Sequence, residues 1–460
     1  MQQTFSVLFS VEVSMRIPFT KKKISNSSAI LIGFALTILI GSLILMLPFC
    51  SAERRVTPFA DTLFTATSAV CVTGLVVRDT MLYWSVAGRI VIMILIQIGG
   101  MGIVTLSALV SMAAGQKIGI LQRTAMQDSI GGFQLGGIVV MTLFIVKVMA
   151  AIELIGAVLL SFTFIPRYGF LKGAGFSVFH SVSAFCNAGF DLMGEQGAFS
   201  SLTGFSSDIN INLTVCALII AGGIGFFTWR DIAKHGLRFR YYRMQTKVVL
   251  TSTAVLILLP AVCFFFMEFS DLPAGERILS SLFQAVTPRT AGFNTKDYMA
   301  MSDSGRALTI VLMLIGGSPG STAGGMKITT IFVILAASSS VFSRTGQPSA
   351  FGRGIADAAI RQATALLIVY ISLFLISGMA ISTIEGLPLG TCLFETASAV
   401  GTVGLTLGIT SSLGPVSRII LILLMFIGRT GGLTIAKAFI RDQMIQNQIR
   451  RYPQDSITVG

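Results

Sequence analysis

The sequence predicts an all-α integral membrane protein made of four tandem repeats, with eight transmembrane helices and four re-entrant half-helices in pseudo-fourfold symmetry about a central axis. Three observations carry this expectation. Of 460 residues, 53% are hydrophobic and 12% are charged, and a soluble core cannot absorb that much apolar surface. Apolar runs long enough to span a bilayer lie near 29–49, 84–112, 137–165, 209–229, 246–267, 306–340 (interrupted), 363–384 and 418–440. A Phe–Ser/Thr–Gly spacing then recurs four times, once between the members of each pair of runs, and such self-similarity defines the architecture before any motif does.

The net charge of +13 is distributed by side of the membrane. Basic residues gather before the first span (Arg16, Lys21, Lys22, Lys23), between the fourth and fifth (Arg230, Lys234, Arg238, Arg240, Arg243, Lys247) and at the C-terminus (Lys437, Arg441, Arg450, Arg451). The positive-inside rule places both termini in the cytoplasm with an even number of crossings, and leaves no case for nucleic acid. Six scattered cysteines without CxxC spacing read as small buried side chains. Two histidines, His180 and His235, and no HExxH argue against metal chemistry. The first span is too long for a signal peptide, and Met15 is a possible alternative start.

The four outer segments are "PFADTLFTATSAVCVTGLVVRD" from Pro58, "VFHSVSAFCNAGFDLMG" from Val178, "LFQAVTPRTAGFNTKD" from Leu282 and "LFETASAVGTVGLTLG" from Leu393. Each has Phe (Phe64, Phe179, Phe283, Phe394) and, four residues on, Ser68, Ser183, Thr287 or Ser398. Gly74, Gly189 and Gly404 follow ten residues after their Phe, and Gly292 follows nine after its own. Pro58, Pro273 and Pro388 stand where a first helical turn tolerates proline. A half-helix entering from outside points its partially negative C-terminus into the membrane, and four such ends on one axis favour a cation. Glycine then permits the dihedrals that turn carbonyls toward the axis, giving a pore lined by backbone oxygens that replace water around an ion. A surface loop has no reason to repeat this spacing. Basic inner loops join repeats of the same sense, which predicts a parallel rather than an inverted arrangement.

These residues resemble the Trk/Ktr/HKT superfamily of potassium transporters, whose chains join four M1–P–M2 units (span, pore half-helix, span), over about residues 25–440. Trk-type pore subunits carry two further helices before the first unit; only some 25 residues precede it here, so the chain is most similar to Ktr-type membrane subunits. The resemblance implies a selectivity filter at Val72, Thr73, Gly74, Asn187, Ala188, Gly189, Thr290, Ala291, Gly292, Thr402, Val403 and Gly404, with K+ at the backbone carbonyls near the four glycines. Glycine in all four copies goes with potassium preference, whereas serine in the first goes with sodium permeation. The third copy departs by one residue and contains Pro288 and Arg289, leaving its carbonyl geometry open. The units divide as an N-terminal cytoplasmic segment (1–24), repeats at 25–122, 123–240, 241–345 and 346–440, and a cytoplasmic tail (441–460).

The second spans align as "IQIGGMGIVT" from Ile96, "IIAGGIGFFT" from Ile219, "LIGGSPGSTAGGMKITT" from Leu314 and "FIGRTGGLTIA" from Phe426. The third resembles the family's intramembrane gating loop. It assigns a gate to Gly316, Gly317, Ser318, Pro319, Gly320, Ser321, Thr322, Ala323, Gly324 and Gly325; Lys327 closes the glycine loop, where it would anchor the inner end or bind a carbonyl. Non-helical backbone at that depth must be buried in protein or line a watery cavity. A phosphate loop would need GxxxxGK[ST], which Met326 and Ile328 break. A passive kink rarely needs ten residues. In copies one and two the glycines read as helix packing. Arg429 replaces a glycine in copy four and reads as a positive barrier under the filter, held near the loop of copy three until that loop moves, the competing reading being a structural ion pair with an acid such as Glu153. Lys147 and Glu153 lie on different helix faces and read as packing, Asp61 and Glu395 as a solvated rim, and His180 as structural.

The expected function is potassium uptake across a bacterial plasma membrane, with K+ as cargo, no organic cofactor and no covalent chemistry. The resemblance implies a homodimer on a cytoplasmic RCK-type nucleotide-binding ring. The chain has no GxGxxG or P-loop, so nucleotide sensing falls to that partner, and the basic loop at 230–247 would meet anionic lipid or the ring. The alternative is a secondary transporter of another small solute with a closed site, which would call for inverted repeats.

Overall fold

The computed structural model describes residues 26–113, 138–343 and 347–432. The expected cytoplasmic segment and tail, with their basic clusters, lie outside the described residues. The chain is an all-α integral membrane protein. In each repeat a long first span, a half-helix and a second span follow in order: α1 (Asn26–Leu45), α2 (Phe59–Val70), α3 (Thr80–Tyr83), α4 (Val86–Met101) and α5 (Ile103–Ala113) in the first. Repeat two holds α6 (Ile138–Tyr168), α7 (Phe170–Phe185), α8 (Ile209–Gly223) and α9 (Phe226–His235). Repeat three holds α10 (Met244–Met267), α11 (Ala274–Val286), α12 (Asp303–Leu314) and α13 (Ile328–Phe342). After a two-rung hairpin of β1 (Ser349–Ala350) and β2 (Arg353–Gly354), the last repeat has α14 (Asp357–Glu385), α15 (Leu389–Gly401) and α16 (Pro415–Thr430).

The first spans α1, α6, α10 and α14 have 20, 31, 24 and 29 residues, each about 30 Å or more at the helical rise. They are apolar on every side because protein covers only part of each and lipid the rest. The second spans differ from expectation in one respect: all four break, not the third alone. Gly102, Gly225 and Gly431 take φ of 79°, 87° and 84° at matching places in GGMG, GGIG and GRTG, a conformation that only glycine adopts cheaply. The α8–α9 break bends the chain by 96°. The starts of these spans are fixed by caps: Ser85, Asp208 and Ser302 accept from the N–H groups of Gly88, Ile211 and Gly305 at 3.2, 2.9 and 3.0 Å, and Pro415 opens α16. Pro58, Pro273 and Pro388 stand at the N-cap of their half-helices, one step before the first turn.

The half-helices form the centre. Phe64, Phe283 and Phe394 are fully buried and Phe179 nearly so, so the repeated Phe is the apolar hub of each unit. The second spans lie against the half-helix ends through glycine. A Cβ on Gly99, Gly222 or Gly428 would come within 2.1, 1.9 or 2.3 Å of the carbonyl oxygens of Val70, Phe185 and Val400.

Chain connectivity joins repeats one to two, two to three and three to four, but nothing covalent joins four to one. There Asp61 of α2 accepts from Arg418 of α16 at 3.0 Å and from Arg78 at 2.9 Å. Asp61 is 5% exposed, so it is a buried clasp and not the solvated rim expected of it. Asp61→Ala leaves Arg418 without its carboxylate partner in a partly buried place and is expected to cost about 2–3 kcal/mol, read as a lower unfolding midpoint in detergent. A midpoint equal to wild type would show that the seam does not depend on this pair.

Candidate functional site

The candidate filter strands share one backbone geometry. Two residues before each glycine the chain is left-handed, with φ of 54° at Val72, 57° at Asn187, 68° at Thr290 and 53° at Thr402. The glycines are left-handed again, at 92°, 68°, 82° and 95° for Gly74, Gly189, Gly292 and Gly404. Alternating handedness along a strand turns successive carbonyls to one side. Copy three keeps this pattern despite its missing residue.

The four strands close on one another. A Cβ on Gly74 would stand 2.5 Å from the oxygen of Ala188, one on Gly189 2.6 Å from that of Ala291, one on Gly292 2.2 Å from that of Val403, and one on Gly404 2.2 Å from that of Thr73. The cycle runs one, two, three, four and back to one, which is the pseudo-fourfold axis in atomic terms. Glycine is thus required twice, for its φ and for the approach of the neighbouring carbonyl.

The Ser/Thr of the repeated spacing ties each strand to its half-helix. Ser68 and Ser398 accept the N–H of Gly74 and Gly404, each at 3.0 Å. Ser183 donates to the carbonyl of Phe190 at 2.7 Å, and Thr287 donates to that of Phe293. In copies one, two and four the turn closes from Thr73, Ala188 and Val403 back to the carbonyl five residues earlier, each at 2.8 Å. In copy three Ala291 reaches only four back, to Thr287, at 3.0 Å. The missing residue is therefore taken from this turn, before the left-handed Thr290.

Residues 315–327 lie against the ends of the broken second spans. Ser318 N–H donates to Gly223 and Thr322 N–H to Gly222, at 2.9 and 3.3 Å, while Phe226 N–H, freed by the break at Gly225, donates to Gly320 at 2.8 Å. The loop closes on itself through Gly316 to Met326 at 2.8 Å and Ile328 to Gly317 at 3.0 Å, and Gly325 reaches Gly428 at 3.1 Å. Thr322 Oγ1 donates to Phe185 at the end of α7, at 2.9 Å. Lys327 Nζ donates to Ala323 at 2.7 Å. A Cβ on Gly324 would lie 2.1 Å from Thr402 Oγ1, which seats the loop directly beneath the fourth strand. Arg429 donates to the carbonyls of Thr322 and Gly99, with Gly100 at 3.4 Å. Among the described residues Arg429 makes no ion pair with Glu153, whose carboxylate instead accepts from Gln97 at 3.0 Å. A cavity of about 420 Å³ adjoins the loop, with Gly102, Ser321, Lys327 and Arg429 in its wall.

At the opposite end of the ring a mouth of about 100 Å³ is lined by the four glycines and by the residues two positions beyond them, Val76, Asp191, Asn294 and Thr406. Sequence reasoning passed over this second ring, although its offset from each glycine is constant. Burial pushes the Asp191 carboxyl up to about 7, with the nearby Asp79 acting in the same direction. Asp191 Oδ1 accepts from Met193 N–H at 2.9 Å, and Asp79 Oδ2 from Phe199 N–H at 2.8 Å. Glu395, expected at a solvated rim, is fully buried in α15. His180 braces α7 against the returning chain, its ring accepting from Leu192 N–H at 3.2 Å.

Comparison with known proteins matches residues 2–448 to a family described as TrkH, cation transport protein. The chain is 40% identical to the potassium/sodium uptake protein NtpJ of Enterococcus hirae, covering 96% of this chain and 98% of that one. It is 38% identical to the Ktr system potassium uptake protein B of Bacillus subtilis, covering 93% and 95%. The crystal structure of the potassium transporter TrkH from Vibrio parahaemolyticus superposes with a TM-score of 0.73 over 92% of this chain and 86% of that one. At 19% identity this likeness speaks for the fold alone.

Ser398→Ala would leave the buried Gly404 N–H without its acceptor, and a loss of about 1–3 kcal/mol is expected in detergent unfolding. Gly404→Ala, which sets a methyl against the Thr73 carbonyl at a left-handed φ, is expected to cost more. Equal stabilities for the two variants would contradict the packing described.

Proposed function

The chain belongs to the TrkH family of cation transport proteins, and from that membership we propose that it is the pore-forming subunit of a bacterial potassium uptake system. The observation that carries the proposal is the closed cycle of glycines and carbonyls. Four strands with the same alternating backbone offer oxygens to one axis, where they replace the hydration shell of a bare monovalent cation. Val72 to Gly74, Asn187 to Gly189, Thr290 to Gly292 and Thr402 to Gly404 act as the filter. Residues 316–325, Lys327 and Arg429 act as the gate.

The mechanism follows from charge and geometry. Four half-helix C-termini present partial negative charge where the ion sheds water. The loop bars the path beyond, and Arg429 adds a positive charge there. A cation passes when the loop gives up its bonds to Gly222, Gly223 and Gly428, and the broken ends of the second spans provide a place to which those bonds can return. The mouth faces outward and both termini face the cytoplasm of the bacterial plasma membrane. The named relatives in Ktr systems support a multisubunit assembly. In this reading two copies of the chain sit on an RCK-type ring that binds nucleotide, and the chain itself performs no covalent chemistry.

Rubidium influx into proteoliposomes, competed with potassium or sodium, tests this. Wild type is expected to show potassium-competed flux, and Gly74→Ser to lose preference for potassium about tenfold, since its side chain displaces the Ala188 carbonyl. Absence of flux even after deletion of residues 316–325 would overturn the pore reading and favour a closed-site transporter.

The raised Asp191 carboxyl gives a pH dependence. Its negative charge at the mouth is lost as outside pH falls through about 7, so half-saturating rubidium should rise on acidification. Asp191→Asn should reduce that rise. An unchanged pH profile in the variant would assign the effect elsewhere.

A further inference from the structure

The ring is nearly fourfold in its backbone, but the side chains of the mouth are not. The positions two beyond the glycines carry an apolar, an acidic, an amide and a hydroxyl side chain, and only the hydroxyl, Thr406, has a buried carboxylate behind it. Glu395 follows the hub Phe394, where the other repeats have Thr65, His180 and Gln284. It is fully buried. Its Oε1 accepts from Thr406 Oγ1, and its Oε2 from Thr410 Oγ1 at 3.0 Å. Both threonines line the mouth beside Gly404.

The hydrogens available limit how many lone pairs are left for the mouth. Each hydroxyl has one hydrogen, and a carboxylate is a stronger acceptor than a second hydroxyl. Thr410 Oγ1 stands 3.0 Å from both Glu395 Oε2 and Thr406 Oγ1, and the ionised carboxylate, as the stronger acceptor, takes its one hydrogen. Gly408 N–H, at 2.9 Å, uses one lone pair of Thr406, and the rest remain for the mouth. Two hydroxyl oxygens at that spacing form one edge of an oxygen shell around a monovalent cation, and the carboxylate one bond behind supplies the compensating charge. This is how outer partners commonly orient the ligands of an ion.

We propose that Thr406 and Thr410, oriented by Glu395, form an outer subsite that takes a partly dehydrated potassium-sized cation before it enters the filter. The proposal rests on the filter reading above. Thr406 and Thr410 touch the ion, and Glu395 is a positioning residue. The subsite belongs to the fourth repeat: repeat two uses the equivalent side chain, His180, on a backbone N–H, the Thr65 hydroxyl donates within its own helix at 2.9 Å, and the buried Gln284 amide of repeat three has no hydrogen-bond partner among the described residues.

The test is rubidium influx into proteoliposomes of the full chain, with both the half-saturating concentration and the maximal rate determined for wild type, Thr406→Val, Thr406→Ser and Glu395→Gln. A glutamine accepts from one threonine but donates to the other, turning one hydroxyl away. Thr406→Val and Glu395→Gln are expected to raise half-saturation about fivefold, with maximal rates within about twofold of wild type, while Thr406→Ser stays near wild type. A purely structural brace would lower the maximal rate at unchanged half-saturation, and that result, or no change at all, overturns the subsite. Should Glu395→Gln fail to purify as a folded protein, Thr410→Val is read by the same criterion. Wild-type flux that saturates and is competed by potassium, with unmoved variants, defeats the subsite alone; wild-type flux that potassium does not compete defeats the filter reading as well.

Discussion

Backbone N–H and C=O groups within a bilayer must find partners inside the protein, and most of this structure follows from that constraint. Breaking a second span at glycine exposes carbonyls and amides at mid-depth. The loop of repeat three exposes more. The two deficits cancel: the Gly222 and Gly223 carbonyls accept from the loop, and the Phe226 amide donates back to it. The guanidinium of Arg429, with five donors and no acceptor, donates to the carbonyls of Thr322 in the loop and of Gly99 at the end of α4. An arginine at that depth is costly alone, but here it fills a need that the broken spans create.

The same constraint shapes the ring. In the proposed filter, carbonyls that face an ion path cannot also be tied into a ladder, so the strands must be held by other groups. Side-chain hydroxyls from the half-helices do this at one end, and close packing of glycine on the next strand does it laterally. The fourth seam has no covalent link. It is closed at the mouth by Asp61 with Arg418 and at depth by Arg429 with Gly99, so both ends of the seam depend on arginines from α16.

Much of this was legible in the sequence. The Phe–Ser/Thr–Gly spacing set the register, and its three residues serve separately as hub, strand tie and turn. The need for glycine at these four positions was legible because its reason is local and steric. That Arg429 is held near the loop of repeat three was legible from its place in the aligned spans; that carbonyls of Thr322 and Gly99 hold it was not, because carbonyls leave no mark in a sequence. Asp61 and Glu395 were misplaced for a related reason. Their partners lie 357, 17, 11 and 15 residues away, and a carboxylate in an outer segment gives no sign of whether it faces water or a half-helix. The shorter third copy could be counted but not located, since the spacing alone does not say which turn gives up the residue.

Symmetry and asymmetry are divided between backbone and side chain. Where an ion would be fully stripped, four equivalent carbonyl strands present the same field from every side, and the backbone, which is chemically uniform, can supply it. Around that ring the four repeats have diverged wherever side chains take over: Val76, Asp191, Asn294 and Thr406 at the mouth, and one inserted loop and one arginine beneath. Four chains assembled as a tetramer would have to repeat each of these groups four times. A single loop or a single arginine is possible because one chain carries all four units, so the covalent linkage that leaves an open seam also permits the proposed gate to be built from one copy of each part.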